Sequence, residues 1–344
     1  MRDAARTADQ SATPESPAPS APHWASLNEN TFVAGIKLLF WIYRVLGRTP
    51  FRLCLYPVVA YYWATKPLAR QSSLEYLQRL HTHQRAQKLG SADSPEPGAW
   101  QSLQHLLAFA DTILDKLLAM SGSLGGEALR SVGEEDLLAL KDQGRGAIIV
   151  TGHVGCMELC RLSAERHRGV RLNVLVHTVH AERFNRLLQR LHPDSPVRLI
   201  QVTEISPATA IMLSEKVAQG EYVAIAGDRV PVSHTTTVPA HFLGAQARWP
   251  VGPYVLAALL KCPLYAMACV RENDPVHGHG YVLRVQHLAD TVVLPRGRRE
   301  EAMARHAQDF ATWLETVLVR SPMAWFNFFP FWRQAEQPPV KPEQ

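Results

Sequence analysis

The sequence predicts an α/β fold with a mixed, mostly parallel sheet that is flanked by helices on both faces. Short β-branched runs alternate with amphipathic segments of 10–15 residues, which is the pattern of repeated strand–helix units. About 47% of the 344 residues are apolar, which is sufficient for the core of one large domain.

The alternation begins with the apolar run GAIIVT. Strands are predicted at residues 146–151, 170–177, 197–202 and 221–228, with helices at 181–192 and 207–220. Apolar side chains at steps of three and four predict an earlier helix at 101–120. After the alternation we expect a helix at 251–262, two antiparallel strands at 264–272 and 281–288, and a closing helix at 299–321.

Composition divides the chain into five parts. Residues 1–30 are rich in Ala, Ser and Pro and predict a disordered leader without the pattern of a secretory signal. Residues 31–80 are apolar and basic, 81–100 form a polar connector, 101–332 carry the main domain, and 333–344 form a polar tail.

The 31–80 part contains two apolar segments, 32–47 and 51–65. Each has about 15 residues, fewer than the roughly 20 that span a bilayer as a helix. Lys37 and Arg44 lie on one helical face, and aromatic side chains accompany them, which is typical of a helix lying in the headgroup region. We therefore expect a helical, membrane-associating segment. A pair of helices that covers the domain core and a true membrane span are the alternatives.

The formal net charge of +5 and a pI near 9.0 favour a negatively charged partner. An anionic membrane surface and an acidic carrier protein both fit this charge. Nucleic acid is not expected, because no groove-reading motif or regular basic–aromatic pattern occurs. Five cysteines without framework spacing indicate reduced thiols and a cytoplasmic compartment.

The stretch TGHVGCMELC at 151–160 holds the first candidate site, directly after a predicted strand. A second polar cluster, Asp228 and Arg229, follows the apolar part, ending at residue 226, of the strand predicted at 221–228. Ligands of open α/β sheets bind at the carboxyl ends of strands, so both clusters are candidate functional residues. Gly155 indicates that the chain is still turning at His153, which lets Glu158 in the first helical turn reach the imidazole. A histidine oriented by a carboxylate can activate a hydroxyl at neutral pH.

Two other interpretations of this stretch need to be weighed. In a continuous helix His153, Cys156 and Cys160 would share one side, as in a metal site. A helix that starts near Gly155 instead makes the two cysteines buried packing residues. The hydroxyl to be activated belongs to a substrate, because SGSLGG at 121–126 lacks the first glycine of a nucleophile elbow and follows a helix.

At these residues the chain resembles the lysophospholipid acyltransferase superfamily, and more closely its lipid A lauroyl/myristoyl acyltransferase branch. The shared blocks are GHVG-x-x-E, AGDRVP, HFLGAQARWPVGPYVLAALL and the aromatic end AWFNFFPFW. The resemblance covers roughly residues 100–332.

The resemblance implies that His153 is the general base and that Glu158 orients it. Asp228 falls on the first aspartate of a later family block, and Gly155 adjoins the histidine on the substrate side. Phe242 and Gly244 would line the acyl-donor side. The implied donor is a thioester on acyl carrier protein, the acceptor is a lipid or glycolipid, and neither a cofactor nor a metal is implied. The implied location is the cytoplasmic face of a bacterial inner membrane.

The chain also departs from the pattern of that branch. Arg229 and Val230 follow Asp228 where a second aspartate is expected, and His177 stands where the lipid A enzymes tend to have an arginine. Arg229 could bind a phosphate or stabilise an oxyanion, or could form a salt bridge near Asp228. The acceptor therefore stays open between a lipid A precursor and another lipid or a polyene product. A thioesterase using the same dyad and a non-catalytic peripheral membrane protein are the alternative functions.

Overall fold

A seven-stranded sheet forms the centre of this protein. The computed structural model describes residues 47–89, 94–120, 129–167, 169–176, 196–202, 206–229, 236–274 and 278–335, together with positions 41, 43 and 45. The predicted leader at 1–30, the helix at 181–192 and the tail beyond 335 lie outside the described residues.

The described strands and helices follow the predicted order closely. The strands are β1 (Leu129–Val132), β2 (Ile148–Thr151), β3 (Leu172–Val176), β4 (Val197–Gln201), β5 (Tyr222–Ala226), β6 (Thr237–Phe242), β7 (Ala245–Pro250), β8 (Leu264–Asp274) and β9 (Gly278–Ala289). The helices are α1 (Arg48–Thr65), α2 (Pro67–Ala86), α3 (Ala99–Met120), α4 (Glu135–Asp142), α5 (Cys160–Arg166), α6 (Pro207–Ala218), α7 (Gly252–Leu260) and α8 (Arg299–Arg320).

The sheet is mixed and mostly parallel, as predicted. Its strand order is β1-β9-β8-β2-β5-β3-β4, and β8 and β9 form its antiparallel pair. The neighbours β8, β2, β5, β3 and β4 all run parallel. The carboxyl ends of β2 and β5 therefore lie side by side at one edge, where a parallel sheet binds its ligands.

Alternating side chains of the central strands supply two separate cores. Ile148 and Val150 of β2 point to one face, where they join a cluster with α6, α7 and α8. Ala147 and Ile149 point to the other face and pack in a cluster with α4 and α5. This two-residue period means that each face of the sheet is covered by helices, which is why β2 and β5 consist of apolar residues without alternation.

Local signals explain where helix α6 begins. The hydroxyl of Ser206 accepts a hydrogen bond from the Thr209 amide, and Pro207 occupies the first turn of α6. Both are standard N-terminal helix signals, since the cap satisfies a free amide and proline has none to satisfy.

Three elements were not predicted. The strand β1 gives no clear sequence pattern because it is short and half polar, and the adjacent helix α4 is too short for one because it has only eight residues. The hairpin β6–β7 turns at Leu243 and Gly244, both with positive φ. A leucine with φ near +50° gives no sequence signal for such a turn, unlike Asn-Gly.

The boundaries of the N-terminal parts differ from the prediction. Helix α2 continues to Ala86, inside the predicted connector at 81–100, and α3 already begins at Ala99. Tyr76, Leu77 and Leu80 of α2 are buried in the main core. The second half of the 31–80 segment is thus a covering helix of the domain, because its apolar face packs on the protein. None of the described helices combines the length and apolar character needed to cross a bilayer.

Candidate active site

His153 and Asp228 occupy equivalent positions after two neighbouring strands. Thr151, the last residue of β2, pairs with Ala226, the last residue of β5, and each site residue follows two positions later. A glycine, Gly152 or Gly227, separates the end of the strand from the site residue in both cases. A Cβ on Gly152 would lie 3.2 Å from Asp228 Cγ, so the small residue allows the two segments to approach.

Asp228 holds both the backbone and the ring of His153. Its Oδ2 accepts a hydrogen bond from the His153 amide at 2.7 Å, and its Oδ1 lies 2.8 Å from His153 Nδ1. The indole Nε1 of Trp325 donates to Oδ2 at 3.0 Å. Three donors therefore surround one carboxylate whose side chain is 0% exposed. Such a carboxylate fixes the ring orientation and favours the tautomer with the proton on Nδ1.

The ionisation of Asp228 reflects this environment. Burial alone would raise the pKa of the carboxyl, but the charge and hydrogen bonds of His153, together with Arg229, outweigh it. The result is a pKa lowered to about 2, so the carboxylate stays charged across the physiological range.

The second ring nitrogen of His153 is free to act on a ligand. The His153 side chain is 37% exposed, whereas its partner Asp228 is fully buried. Within the described part of the chain, no hydrogen bond engages His153 Nε2. With the proton of the neutral ring on Nδ1, the lone pair on Nε2 faces outward and can accept a proton from a bound hydroxyl.

No hydrogen bond or ion pair joins Glu158 to His153 among the described residues, although their spacing predicts such a contact. Its Oε1 lies 3.1 Å from Nζ of Lys116 on α3, and its Oε2 accepts from the Cys156 thiol at 3.7 Å. The physical reason is a later helix start than expected. A 3₁₀ turn begins at Met157 and α5 only at Cys160, so Glu158 is directed toward α3.

The predicted site residue Gly155 shapes the loop between His153 and this turn. Its φ is +62°, and a Cβ there would lie 2.0 Å from the Cys269 carbonyl oxygen. The Gly155 amide donates to Ala324 O at 2.8 Å, and the Cys156 amide donates to Cys269 O at 2.8 Å. These two amides are therefore committed within the protein and are not free to bind a substrate oxygen.

An aromatic C-terminal segment, residues 324–332, closes the back of the site. Trp325 pairs with Val154 in an antiparallel bridge, and the Phe326 amide donates to His153 O at 2.8 Å. Trp325 is 0% exposed and packs edge-on against Phe331. Most of this segment is buried, and the indole contact with Asp228 adds a role that the sequence does not reveal.

Arg229 lies beside the pair, on the side of the aromatic segment. Its Nη2 donates to Phe326 O at 3.0 Å, and its guanidinium stands 5.5 Å from the Phe329 ring centroid. Burial lowers the pKa of Arg229, while the charge of Asp228 acts in the opposite direction. Its Nε has no hydrogen-bond partner among the described residues. Arg229 thus has one buried N–H without a partner and is next in sequence to Asp228.

The remaining predicted substrate residues lie elsewhere. Phe242 is 0% exposed and stacks within the aromatic core, 5.2 Å from the Trp325 ring, so its side chain presents no surface to a ligand. Gly244 forms the β6–β7 turn. His177 lies outside the described residues.

The two cysteines next to the site belong to the core. Cys156 is 0% and Cys160 3% exposed, in agreement with a packing role. Burial raises the pKa of the Cys156 thiol well above its ordinary value, which opposes the thiolate that a metal requires. No group of three His, Cys, Asp or Glu side chains suited to a metal occurs among the residues with described placement.

The sequence does not reveal two residues that contact the site residues, Trp325 and Lys116. Neither carries a local motif. Trp325 stands 97 residues from Asp228, and Lys116 lies on a helix before the first strand, so only the packed chain brings them to the site.

The fold and site define an α/β protein with an exposed, carboxylate-oriented histidine at a strand end. The family model described as bacterial lipid A biosynthesis acyltransferase matches residues 110–334, about two thirds of the chain. The protein belongs to this family and is an acyltransferase. The family description implies acyl transfer to a lipid acceptor. A search among curated proteins found no match.

The contact at Gly155 predicts a large stability loss on substitution. Gly144 is a matched control, because it also has positive φ (+67°) but has no atom within 4 Å of an added Cβ. Gly144→Ala should lower the free energy of unfolding by about 1 kcal/mol, the cost of a left-handed alanine. Gly155→Ala should lower it by more than about 3 kcal/mol, because the backbone must also move. Denaturant titration measures both, and equal losses would contradict the geometry.

The low pKa of Asp228 predicts how stability depends on pH. A carboxyl with a depressed folded-state pKa contributes stability above its ordinary pKa of 3.8 and loses it as the pH falls toward 2. The contribution is about 2 kcal/mol. Asp228→Asn should flatten the loss of unfolding free energy between pH 4 and 2, measured by denaturant titration at each pH. Asp290→Asn, at a 97% exposed side chain, is the control and should follow the wild type.

Proposed function

We propose that this enzyme transfers a fatty acyl group from an acyl carrier protein thioester to a hydroxyl of a lipid or glycolipid acceptor. The observation that carries the proposal is the pair His153–Asp228, in which Nδ1 is held at 2.8 Å and Nε2 is left open. A related polyene acyl group is compatible with the same chemistry. The proposed site of action is the cytoplasmic face of a bacterial inner membrane.

The first step is proton transfer to His153. Its Nε2 accepts the proton of the acceptor hydroxyl while the oxygen attacks the thioester carbonyl carbon. Asp228 stabilises the imidazolium that forms, because its charge lies within hydrogen-bond distance of Nδ1. The buried carboxylate replaces Glu158 in the role that sequence spacing had assigned to it.

Collapse of the tetrahedral intermediate completes the transfer. The carbon–sulfur bond breaks, the carbonyl reforms as an ester, and the imidazolium returns its proton to the departing sulfur. The carrier leaves as a free thiol, and His153 is neutral again. No covalent acyl-enzyme is needed, because the acceptor oxygen is itself the nucleophile.

Arg229 is the proposed donor to the oxyanion of this intermediate. The amides of His153, Gly155 and Cys156 are already engaged with Asp228, Ala324 and Cys269. An oxyanion therefore needs a side-chain donor, and we assign this role to the guanidinium of Arg229, whose buried Nε has no hydrogen-bond partner among the described residues.

Charge supports the proposed donor and acceptor. Lys116 and Arg229 bring two cations close enough to influence each other, and Glu158 pairs with Lys116. We assign to Glu158 the role of holding Lys116 at the site. An excess of positive charge, +5 over the chain, suits an acidic carrier protein and an anionic headgroup.

Helix α1 is the proposed membrane contact. Its exposed face carries Leu53, Val58, Tyr61 and Tyr62, which are 44–72% exposed. The opposite face is anchored to α3, where Arg52 binds Asp111 through two bonds of 3.0 Å. Residues 30–74 contain six basic residues and no acidic one. An apolar face with a basic surround suits the headgroup region of an anionic membrane.

Two alternative functions, a non-catalytic membrane protein and a thioesterase, were expected beside acyl transfer. Family membership sets aside the non-catalytic membrane protein. Hydrolysis of the donor at the same pair differs from transfer only in the nucleophile, and the products separate them. Purified enzyme with acyl carrier thioester and lipid extract should form acylated lipid; free fatty acid at the same rate with and without lipid would favour the thioesterase.

The two carboxylates give the sharpest test of the catalytic pair. Asp228→Asn should lower kcat by about 100-fold or more, because an amide offers Nδ1 no charged acceptor and can stabilise the wrong tautomer. Glu158→Gln should lower it by about 10-fold or less, since Glu158 contacts Lys116 instead. His153→Gln gives the residual kcat without the general base, with which the two carboxylate variants are compared. Acyl transfer is measured by mass spectrometry of the lipid product, and a larger loss for Glu158→Gln would restore the first assignment.

Membrane binding tests the role of α1. Val58→Glu and Tyr61→Glu should each lower co-sedimentation with vesicles containing anionic lipid by several-fold, because burial of a carboxylate in the interface is unfavourable. Ile211→Glu is a matched control, since Ile211 is 62% exposed on α6. If the control lowers binding as much as the α1 variants, another surface contacts the membrane.

A further inference from the structure

A buried histidine on α3, His105, contacts the residue that supports Asp228. It is 0% exposed, and its two ring nitrogens are both engaged. Nδ1 lies 3.0 Å from the hydroxyl of Ser73 on α2, and Nε2 lies 2.9 Å from the Trp325 carbonyl oxygen. None of these groups is needed for the catalytic steps described above.

The partners of His105 determine its tautomer. A carbonyl oxygen can only accept, so Nε2 carries the proton and donates it to Trp325 O. Nδ1 is then the acceptor of the Ser73 hydroxyl. Burial lowers the pKa of His105 to about 4, against the weaker opposite effect of the bond to Trp325, so the ring is neutral at physiological pH.

Trp325 connects this buried ring with the catalytic pair. Its carbonyl accepts from His105, and its indole donates to Asp228 at 3.0 Å. Tyr76 of α2 packs edge-on against the indole with ring centroids 5.1 Å apart, and its hydroxyl donates to Pro322 O at 2.8 Å. Helices α2 and α3 thus both contact Trp325, α2 at the indole through Tyr76 and α3 at the backbone carbonyl through His105.

We propose that His105 is a positioning residue for His153, acting through Trp325 and Asp228. The hydrogen bond from His105 fixes the Trp325 backbone, the indole fixes one oxygen of Asp228, and the other oxygen fixes the imidazole of His153. The order of contacts is Ser73, His105, Trp325, Asp228 and His153.

His105 lies outside the part of the chain that the family model matches. The family match begins at residue 110, whereas Ser73, Tyr76 and His105 precede it. The helices α2 and the first part of α3 therefore complete a site whose reacting groups lie inside the matched region. The kinetic effect expected of His105 rests on the proposed function, whereas its effect on the imidazole of His153 does not.

Three variants separate positioning from general packing. His105→Leu removes the donor to Trp325 and keeps the volume roughly constant, whereas His105→Gln keeps an N–H that can reach the same carbonyl. Thr112→Val is the matched control, because it removes another buried hydrogen-bonding group of α3, one that donates to Ala108 O. Thermal unfolding checks that each variant is folded.

The kinetic measurement is a double-mutant cycle with Trp325→Phe. His105→Leu should lower kcat by about 10-fold at unchanged KM, because a small displacement of the general base slows chemistry without weakening binding. His105→Gln should stay within about threefold of wild type, and Thr112→Val should match wild type. The double variant His105→Leu/Trp325→Phe should be no slower than Trp325→Phe alone. Losses that multiply would show that His105 acts independently of Trp325.

A second measurement does not depend on turnover. NMR of histidine-labelled protein follows the titration of His153 directly. Trp325→Phe removes a donor from Asp228, which leaves more charge to stabilise the imidazolium, so the midpoint should rise relative to wild type. His105→Leu should move it in the same direction and Thr112→Val should not. The neighbouring charges of Arg229, Lys116 and Glu158 are unchanged in all variants.

The two measurements keep the two proposals apart. If the wild type transfers no acyl group, the proposed function fails, and the His153 titration still decides the role of His105. If the wild type is active but His105→Leu leaves the titration unshifted and its kinetic loss multiplies with that of Trp325→Phe, the positioning role is overturned and the proposed function stands.

Discussion

The carboxylate of Asp228 is the point on which the site depends. A buried charge without partners is costly, and this one is satisfied by the amide of His153, its ring nitrogen and the indole of Trp325. These donors come from the loop after β2 and from the C-terminal aromatic segment, while Asp228 itself follows β5. One side chain thereby joins three segments, and the geometry of the reactive imidazole is a consequence of their meeting.

The sequence predicts which residues belong to this candidate site better than it predicts which of them are in contact. His153 and Asp228 are recognisable because each follows an apolar strand. That they touch depends on the strand order, in which β5 lies next to β2 although β3 and β4 intervene in the chain. Glu158 is nearer in sequence, but the positive φ of Gly155 and the 3₁₀ turn carry its side chain to Lys116. Spacing along a chain predicts contacts only where the local conformation is regular.

The same distinction applies to the fold. Buried strands such as β2 and β5 are predictable because both of their faces require apolar residues. The hairpin at Leu243 and the edge strand β1 are not, since their conformations are fixed by tertiary packing. Helix α2 shows the limit most clearly. It lies largely within the 31–80 part that was predicted to associate with a membrane, whereas its Tyr76 is buried between His105 and the C-terminal segment.

The distance along the chain between His105 and Trp325, 220 residues, has a consequence for synthesis. While the ribosome has yet to release the aromatic segment, the nascent chain already contains the strands and both reactive side chains. Asp228 then lacks its indole donor, and α2 and α3 lack the surface on which they pack. In the unfinished chain Asp228 therefore has two of its three donors, and the proposed support of His153 is complete only when α2 and α3 meet the aromatic segment. Closure of so long a loop is a late event in folding.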